Sequence, residues 1–183
     1  MYNRPVSNKV QKWEELSREM AFQKYSRKIE KVMFMLPDGK ESDFYIKKEG
    51  PAAGVLAITK DNRVILVKQF RPGPAEILSE LPGGYVDPIE EPEITMEREL
   101  MEETGYKGKV QLVTTCFDDA YSTMNRYCFV ATDCEKAGDA QTGEHEFIEL
   151  VLVSLEDFRK LLRSGKMTDV EVGYLGLDFL KLL

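Results

Sequence analysis

From residue 28 to residue 70 the apolar positions come in short runs rich in Val, Ile and Phe, separated by turn residues. "KIEKVMFML" and "SDFYIKK" flank "PDGKE", whose Asp38-Gly39 centre predicts a β-hairpin. Residues 17–49 as a whole read as extended. "AAGVLAIT" and "RVILVKQF" are two further strands joined by the short "KDN". "RPGPAEILSELPGG" is a Pro/Gly-punctuated loop with a short strand at its centre. The period then changes. Glu93 to Thr104 holds no breaker, Pro92 suits a helix start, and Gly105 suits the residue just past a helix end. "KVQLVTTCFD", "RYCFVATDC" and "FIELVLVS" return to strand pattern. "SLEDFRKLLRSGK" is a helix with Ser154 as N-cap and Asp157 three residues on. "TDVEVGYLGLDFLKLL" reads as a closing helix, against the helix propensity of Gly173 and Gly176.

The order is strands, a central helix, strands and two helices. This is a mixed α/β (α+β) chain without the regular βαβ alternation of a doubly wound fold. Residues 1–50 read as an antiparallel β extension, marginal alone and expected to pack on residues 51–183 or on a second subunit.

Composition narrows the classes. At 183 residues and 43% hydrophobic content, the chain supports a real core. A net charge of −7 argues against a protein that wraps nucleic acid. Cys116, Cys128 and Cys134 are odd in number and form no CxxC pair, which points away from a disulfide framework and toward a reducing cytoplasm. No run approaches the roughly 18 apolar residues of a membrane helix, and the N-terminus lacks a signal-peptide pattern. A soluble cytoplasmic protein is expected.

Charge is concentrated in "LPGGYVDPIEEPEITMERELMEETGY", residues 81–106. At ~100° per residue, Glu99, Glu102 and Glu103 share one arc of the helix, while Ile94 and Met101 point the other way, toward a core. Each like-charged neighbour pair costs about 0.2–0.5 kcal/mol, which a solvated face tolerates. The flanks favour chemistry instead. Gly83-Gly84 allow close backbone approach, and a Glu90–Arg98 pair would pin the loop before the helix. Clustered carboxylates beside such a loop suit a hard divalent cation.

The same stretch resembles the Nudix box, G-x5-E-x7-R-E-U-x-E-E-x-G-U. Gly84, Glu90, Arg98, Glu99, Leu100, Glu102, Glu103 and Gly105 occupy its fixed positions, with Tyr106 at the last bulky one. The resemblance implies a Nudix fold, a mixed β-sheet sandwiched between helices, and cleavage of a nucleoside diphosphate linked to another group. It implies that Glu99, Glu102 and Glu103 hold Mg²⁺ (or Mn²⁺) with Gly83, that Glu102 and Glu103 serve catalysis, and that Glu90 and Arg98 are structural.

Upstream, "VKQFRPGPAEILSELPGG" resembles the segment before the box in ADP-ribose and nucleoside diphosphate sugar hydrolases of that family. This makes Arg71, Glu80 and Gly84 candidates for substrate binding. Downstream, "TGEHEFIEL" resembles their acidic loop, which implies Glu144 as catalytic base, with Glu146 as the next choice or as a further metal ligand. His145 lies between them. Many ADP-ribose-specific members carry a proline at the position of Ala120 or Tyr121. Its absence points to broader action on nucleoside diphosphate sugars, and Tyr121 leaves a dinucleoside polyphosphate hydrolase open. A nucleotide-sensing module without turnover is a third reading. Phe22, Tyr25 and Phe34 are candidates to stack on a base. The expected partners are a small nucleotide sugar and a second copy of the chain, with neither nucleic acid nor membrane. The extension is expected to serve as the dimerisation element, because N-terminal strands commonly exchange between subunits in this group.

Overall fold

The computed structural model describes residues 10–141, 143 and 147–183. They form two compact units. The first holds the chain up to Gly50 together with Phe117–Met124; the second holds Pro51–Cys116 and Asn125–Leu183.

In the first unit β1 (Glu14–Lys24), β2 (Arg27–Met35) and β3 (Glu41–Lys47) make an antiparallel sheet in that order. The expected hairpin around Asp38-Gly39 joins β2 to β3, and Gly39 takes φ 81°. Register shifts at Leu16 and Ala21 break the period-two pattern of β1. Trp13, Phe34, Phe44 and Tyr121 form a chain of ring contacts with centroids 5.4–6.5 Å apart. Buried Glu30 accepts from Arg18 Nη1 and Lys48 Nζ, each at 2.6 Å. These two cations hold its carboxyl below the usual carboxylate range, Lys48 first. Lys47 ties in the Phe117–Met124 segment. Its N–H donates to the Tyr121 carbonyl (2.8 Å), and its ammonium reaches Asp119 at 2.6 Å and Asp118 at 3.2 Å.

The second unit is built on a seven-stranded mixed sheet. Its strands are β4 (Ala52–Thr59), β5 (Arg63–Arg71), β6 (Glu76–Glu80), β7 (Gly83–Tyr85), β8 (Tyr106–Phe117), β9 (Asn125–Lys136) and β10 (Glu149–Ser154). The order is β10-β5-β4-β9-β8, with β6 beside β5 and β7 beside β4. β4 runs parallel to β9 and antiparallel to β5. β4 is buried at every position, which explains its unbroken apolar run. Its residues alternate between two cores. Leu56 and Ile58 meet α2 (Leu155–Leu162) and α3 (Val170–Phe179) through Phe158, Leu162, Val172 and Leu177. Ala53, Val55 and Ala57 meet α1 (Pro92–Thr104) through Met96 and Leu100. Ile94 and Met101 do not face the core as expected: the helix turns Thr95, Met96, Leu100 and Thr104 inward, which leaves Ile94 exposed and Met101 half-buried. Helices therefore cover both faces of the sheet, as expected for a mixed α/β sandwich.

The elements follow local chemistry. Pro92 opens α1, one residue earlier than the sequence pattern predicts, and Gly105 closes it at φ 75° with its N–H on the Met101 carbonyl. The Ser154 side chain accepts from the Asp157 N–H and caps α2. α3 forms despite its glycines because Gly173 brings it close to α2 and Gly176 brings it close to the sheet. A Cβ at Gly176 would stand 2.8 Å from Leu56 Cδ2. One strand departs from the sequence reading: "GGY" at 83–85 pairs with β4 as β7, although its glycines read as loop.

Candidate active site

The carboxylates of α1 meet the backbone of β7. Gly83 N–H donates to Glu103 Oε2 at 3.0 Å. A Cβ on Gly84 would lie 2.7 Å from both Cδ and Oε1 of Glu99. A side chain there would displace the carboxylate, so glycine is what allows Glu99 to sit against the strand. Gly83 is equally constrained from the other side, since a Cβ would fall 2.3 Å from the Ala53 carbonyl oxygen. The glycine pair thus serves close packing between β4, β7 and α1.

Arg98 organises the remaining acids. Its Nη1 donates to Glu99 Oε1 and to Glu102 Oε2, both at 2.9 Å. Its Nε and Nη2 reach Glu90 at 3.2–3.4 Å, and Thr95 Oγ1 donates to Glu90 Oε2 at 2.9 Å. Arg98, then Thr95, hold the Glu90 carboxyl below its ordinary value. The same contacts, Glu90 first, push Arg98 further up. The expected pin between loop and helix is present, and one guanidinium nitrogen occupies the space between two carboxylates. Among the described residues no three acidic, histidine or cysteine side chains gather into a ready-made cage. A cavity of about 510 Å³ opens between α1 and the start of β8, lined by Ile94, Met101, Lys107 and Val110, with Arg98 and Glu102 also on its wall.

On β5 and β6, Glu80 is almost wholly buried and Arg71 is half-exposed. Arg71 Nε and Nη2 donate to Glu80 Oε1 (2.7 Å) and Oε2 (2.5 Å), a bidentate pair, and Gln69 Nε2 adds a third bond to Oε2 (2.9 Å). Glu80 raises the Arg71 pKa, with smaller contributions from Asp169 and Glu103. Glu80 therefore faces its own arginine and acts as its holder. Gln69, to which the sequence reading gave no role, shares this task. Its signal was its spacing of two from Arg71 on one strand, which puts both side chains on the same face.

Other candidates fall elsewhere. Glu144, His145 and Glu146 lie outside the described residues. Phe34 and Tyr121 belong to the ring chain of the first unit, where Tyr121 stacks on Phe44. Phe22 and Tyr25 are exposed on that unit. Arg126, which no sequence motif marks, pairs through Nη1 with Asp169 and meets Glu171 through Nε at 3.0 Å. Burial pushes the Asp169 carboxyl up, and Arg126 opposes that shift.

Residues 48–171 match the NUDIX domain. The chain belongs to that family, and with its box intact it is a Nudix pyrophosphohydrolase. It is 36% identical over 150 residues to the ADP-ribose pyrophosphatase of Bacillus subtilis, covering 80% of each chain. It is 29% identical over 150 residues to the methanol dehydrogenase activator of Bacillus methanolicus, covering 78% of this chain and 81% of that one. The crystal structure of an ADP compounds hydrolase superposes with a TM-score of 0.82 at 21% identity, covering 96% and 97% of the two chains.

Proposed function

We propose that this protein hydrolyses the pyrophosphate bond of nucleoside diphosphate sugars, ADP-ribose among them, to a nucleoside monophosphate and a sugar phosphate. The carrying observation is the meeting of Glu99 and Glu103 with the Gly83-Gly84 backbone, with Arg71 held by buried Glu80. The likeness to the Bacillus subtilis ADP-ribose pyrophosphatase supports the substrate class.

Nudix hydrolases generally use divalent metal ions. The donor set here is all oxygen and anionic, which fits a hard cation such as Mg²⁺ or Mn²⁺. Glu99, Glu102 and Glu103 would hold it, with Gly83 beside them. When bound, such an ion neutralises phosphate oxygens and lowers the pKa of a water. The protein's own part is positioning. Arg98 holds the Glu99 and Glu102 side chains side by side. The Gly83 N–H fixes the rotamer of Glu103. Arg71 offers a pre-aimed guanidinium to a phosphate or the terminal sugar. Glu144 is the proposed base, with Glu146 as the alternative base or as a further metal ligand.

The test is turnover on a panel of ADP-ribose, GDP-mannose, other nucleotide sugars and diadenosine tetraphosphate, with Mg²⁺, products identified by mass. Chelation of the metal should abolish turnover. Fastest cleavage of diadenosine tetraphosphate would overturn the substrate class, and tight ADP-ribose binding without products would overturn the activity.

We further propose a homodimer built on the first unit. β1 is exposed along its whole length, and Trp13, Leu16, Met20 and Phe22 stand uncovered. A long edge strand with apolar side chains is a surface that proteins ordinarily cover.

A further inference from the structure

Cys116 and Cys128 lie on neighbouring strands of the second unit, with their Sγ atoms 3.7 Å apart. Cys128 is fully buried in the core beside α2 and α3, and Cys116 packs half-buried against the same core. The third cysteine cannot compete. Cys134 belongs to the core on the α1 side and turns its thiol to the Ala131 carbonyl at 3.5 Å.

We propose that Cys116 and Cys128 are a reversible disulfide site, closed by a peroxide and opened by a small thiol. A disulfide needs an Sγ–Sγ distance of about 2.05 Å, so the two sulfurs close a gap of under about 2 Å. Intracellular disulfides of this kind are transient and redox-sensing. In the first step the half-buried Cys116 sulfur attacks one peroxide oxygen. The O–O bond breaks, Cys116 becomes a sulfenic acid, and water leaves. In the second step the Cys128 sulfur displaces the sulfenic hydroxyl, which departs with the thiol proton as a second water. Two thiols lose two electrons and the peroxide gains them. Burial, then the contact with Cys116, push the Cys128 thiol up to about 12, so the less buried Cys116 is the sulfur that meets the peroxide first.

The site is coupled to the active centre. Cys128 pairs with Gly54 on β4, Gly54 pairs on its other side with Gly83, and the Gly83 N–H holds Glu103. Drawing Cys128 toward Cys116 therefore strains the ladder that carries the glutamate.

The experiment treats the full chain with stoichiometric hydrogen peroxide. The expected result is an intact mass lower by two hydrogens, a Cys116–Cys128 cross-linked peptide, and titratable thiols falling from three to one. Dithiothreitol should restore all three. Cys134→Ser should form the same cross-link, its two thiols falling to none, and Cys116→Ser should show no loss of mass on peroxide treatment. ADP-ribose turnover should change in step with the mass and recover on reduction. Mass gained as oxygen without a cross-link, a bond between two copies, or a link through Cys134 would overturn the site. A complete cross-link with unchanged turnover would overturn its coupling to Glu103. The mass readings hold whatever the substrate is, so they separate this proposal from the assigned reaction.

Discussion

At Glu103 one carboxylate meets both a backbone N–H and the proposed chemistry. Glu103→Gln keeps an oxygen to accept from Gly83 and removes the charge. Turnover should fall by about 10²-fold or more, while thermal unfolding shifts by less than about 1 kcal/mol; steady-state rates and calorimetry check the two halves. Arg71 poses the opposite case. Arg71→Ala leaves the Glu80 carboxylate buried with Gln69 as its remaining side-chain donor. That should cost about 1–3 kcal/mol, at the low end because Arg71 is half-exposed. Adding Glu80→Leu should recover part of the loss in denaturant titration. The shared face of Glu99, Glu102 and Glu103 was legible from helical spacing, and their individual roles as metal ligands only from the resemblance to the Nudix box. The holding role of Glu80 was not, since a glutamate in a Pro/Gly-rich stretch carries no sign of burial.

The elements show where pattern and packing part company. Gly83-Gly84 read as a turn but form β7, because the requirement they meet is closeness to Ala53 and Glu99. Gly173 and Gly176 weaken a helix in isolation but let it approach α2 and the sheet, respectively. Gly176→Val should therefore destabilise by about 1–3 kcal/mol through overpacking against Leu56 and Val130, measured by chemical denaturation. The loop before α1 is held by charge. Arg98 lowers the Glu90 carboxyl from its ordinary 4.5. A lowered folded pKa contributes stability that is present above the ordinary value and is lost as pH falls through the folded one. Melting temperature should fall below about pH 4.5, and Glu90→Gln should flatten that part of the curve. The breaks at Leu16 and Ala21 hid the start of β1, because register shifts erase the alternation that marks a strand.

For the whole molecule, the sequence led to the family and the mixed sheet. It gave no hint that Phe117–Met124 groups with the first 50 residues, because that grouping rests on non-local contacts such as Lys47 with Asp119. Among the described residues no helix is long and apolar enough to cross a membrane. The exposed edge of β1 predicts assembly. Light scattering should return twice the chain mass, and Leu16→Lys with Phe22→Lys should return the monomer.

The split membership of that segment also sets an order of events during synthesis. A ribosome that has released β1, β2 and β3 has not yet made the residues that bond to Lys47 and stack on Phe44. The first unit reaches its final form only after residue 124 has emerged, by which time α1 and most of the second unit's sheet are already outside the tunnel. The N-terminal sheet, first to be translated, is thus not the first to be finished.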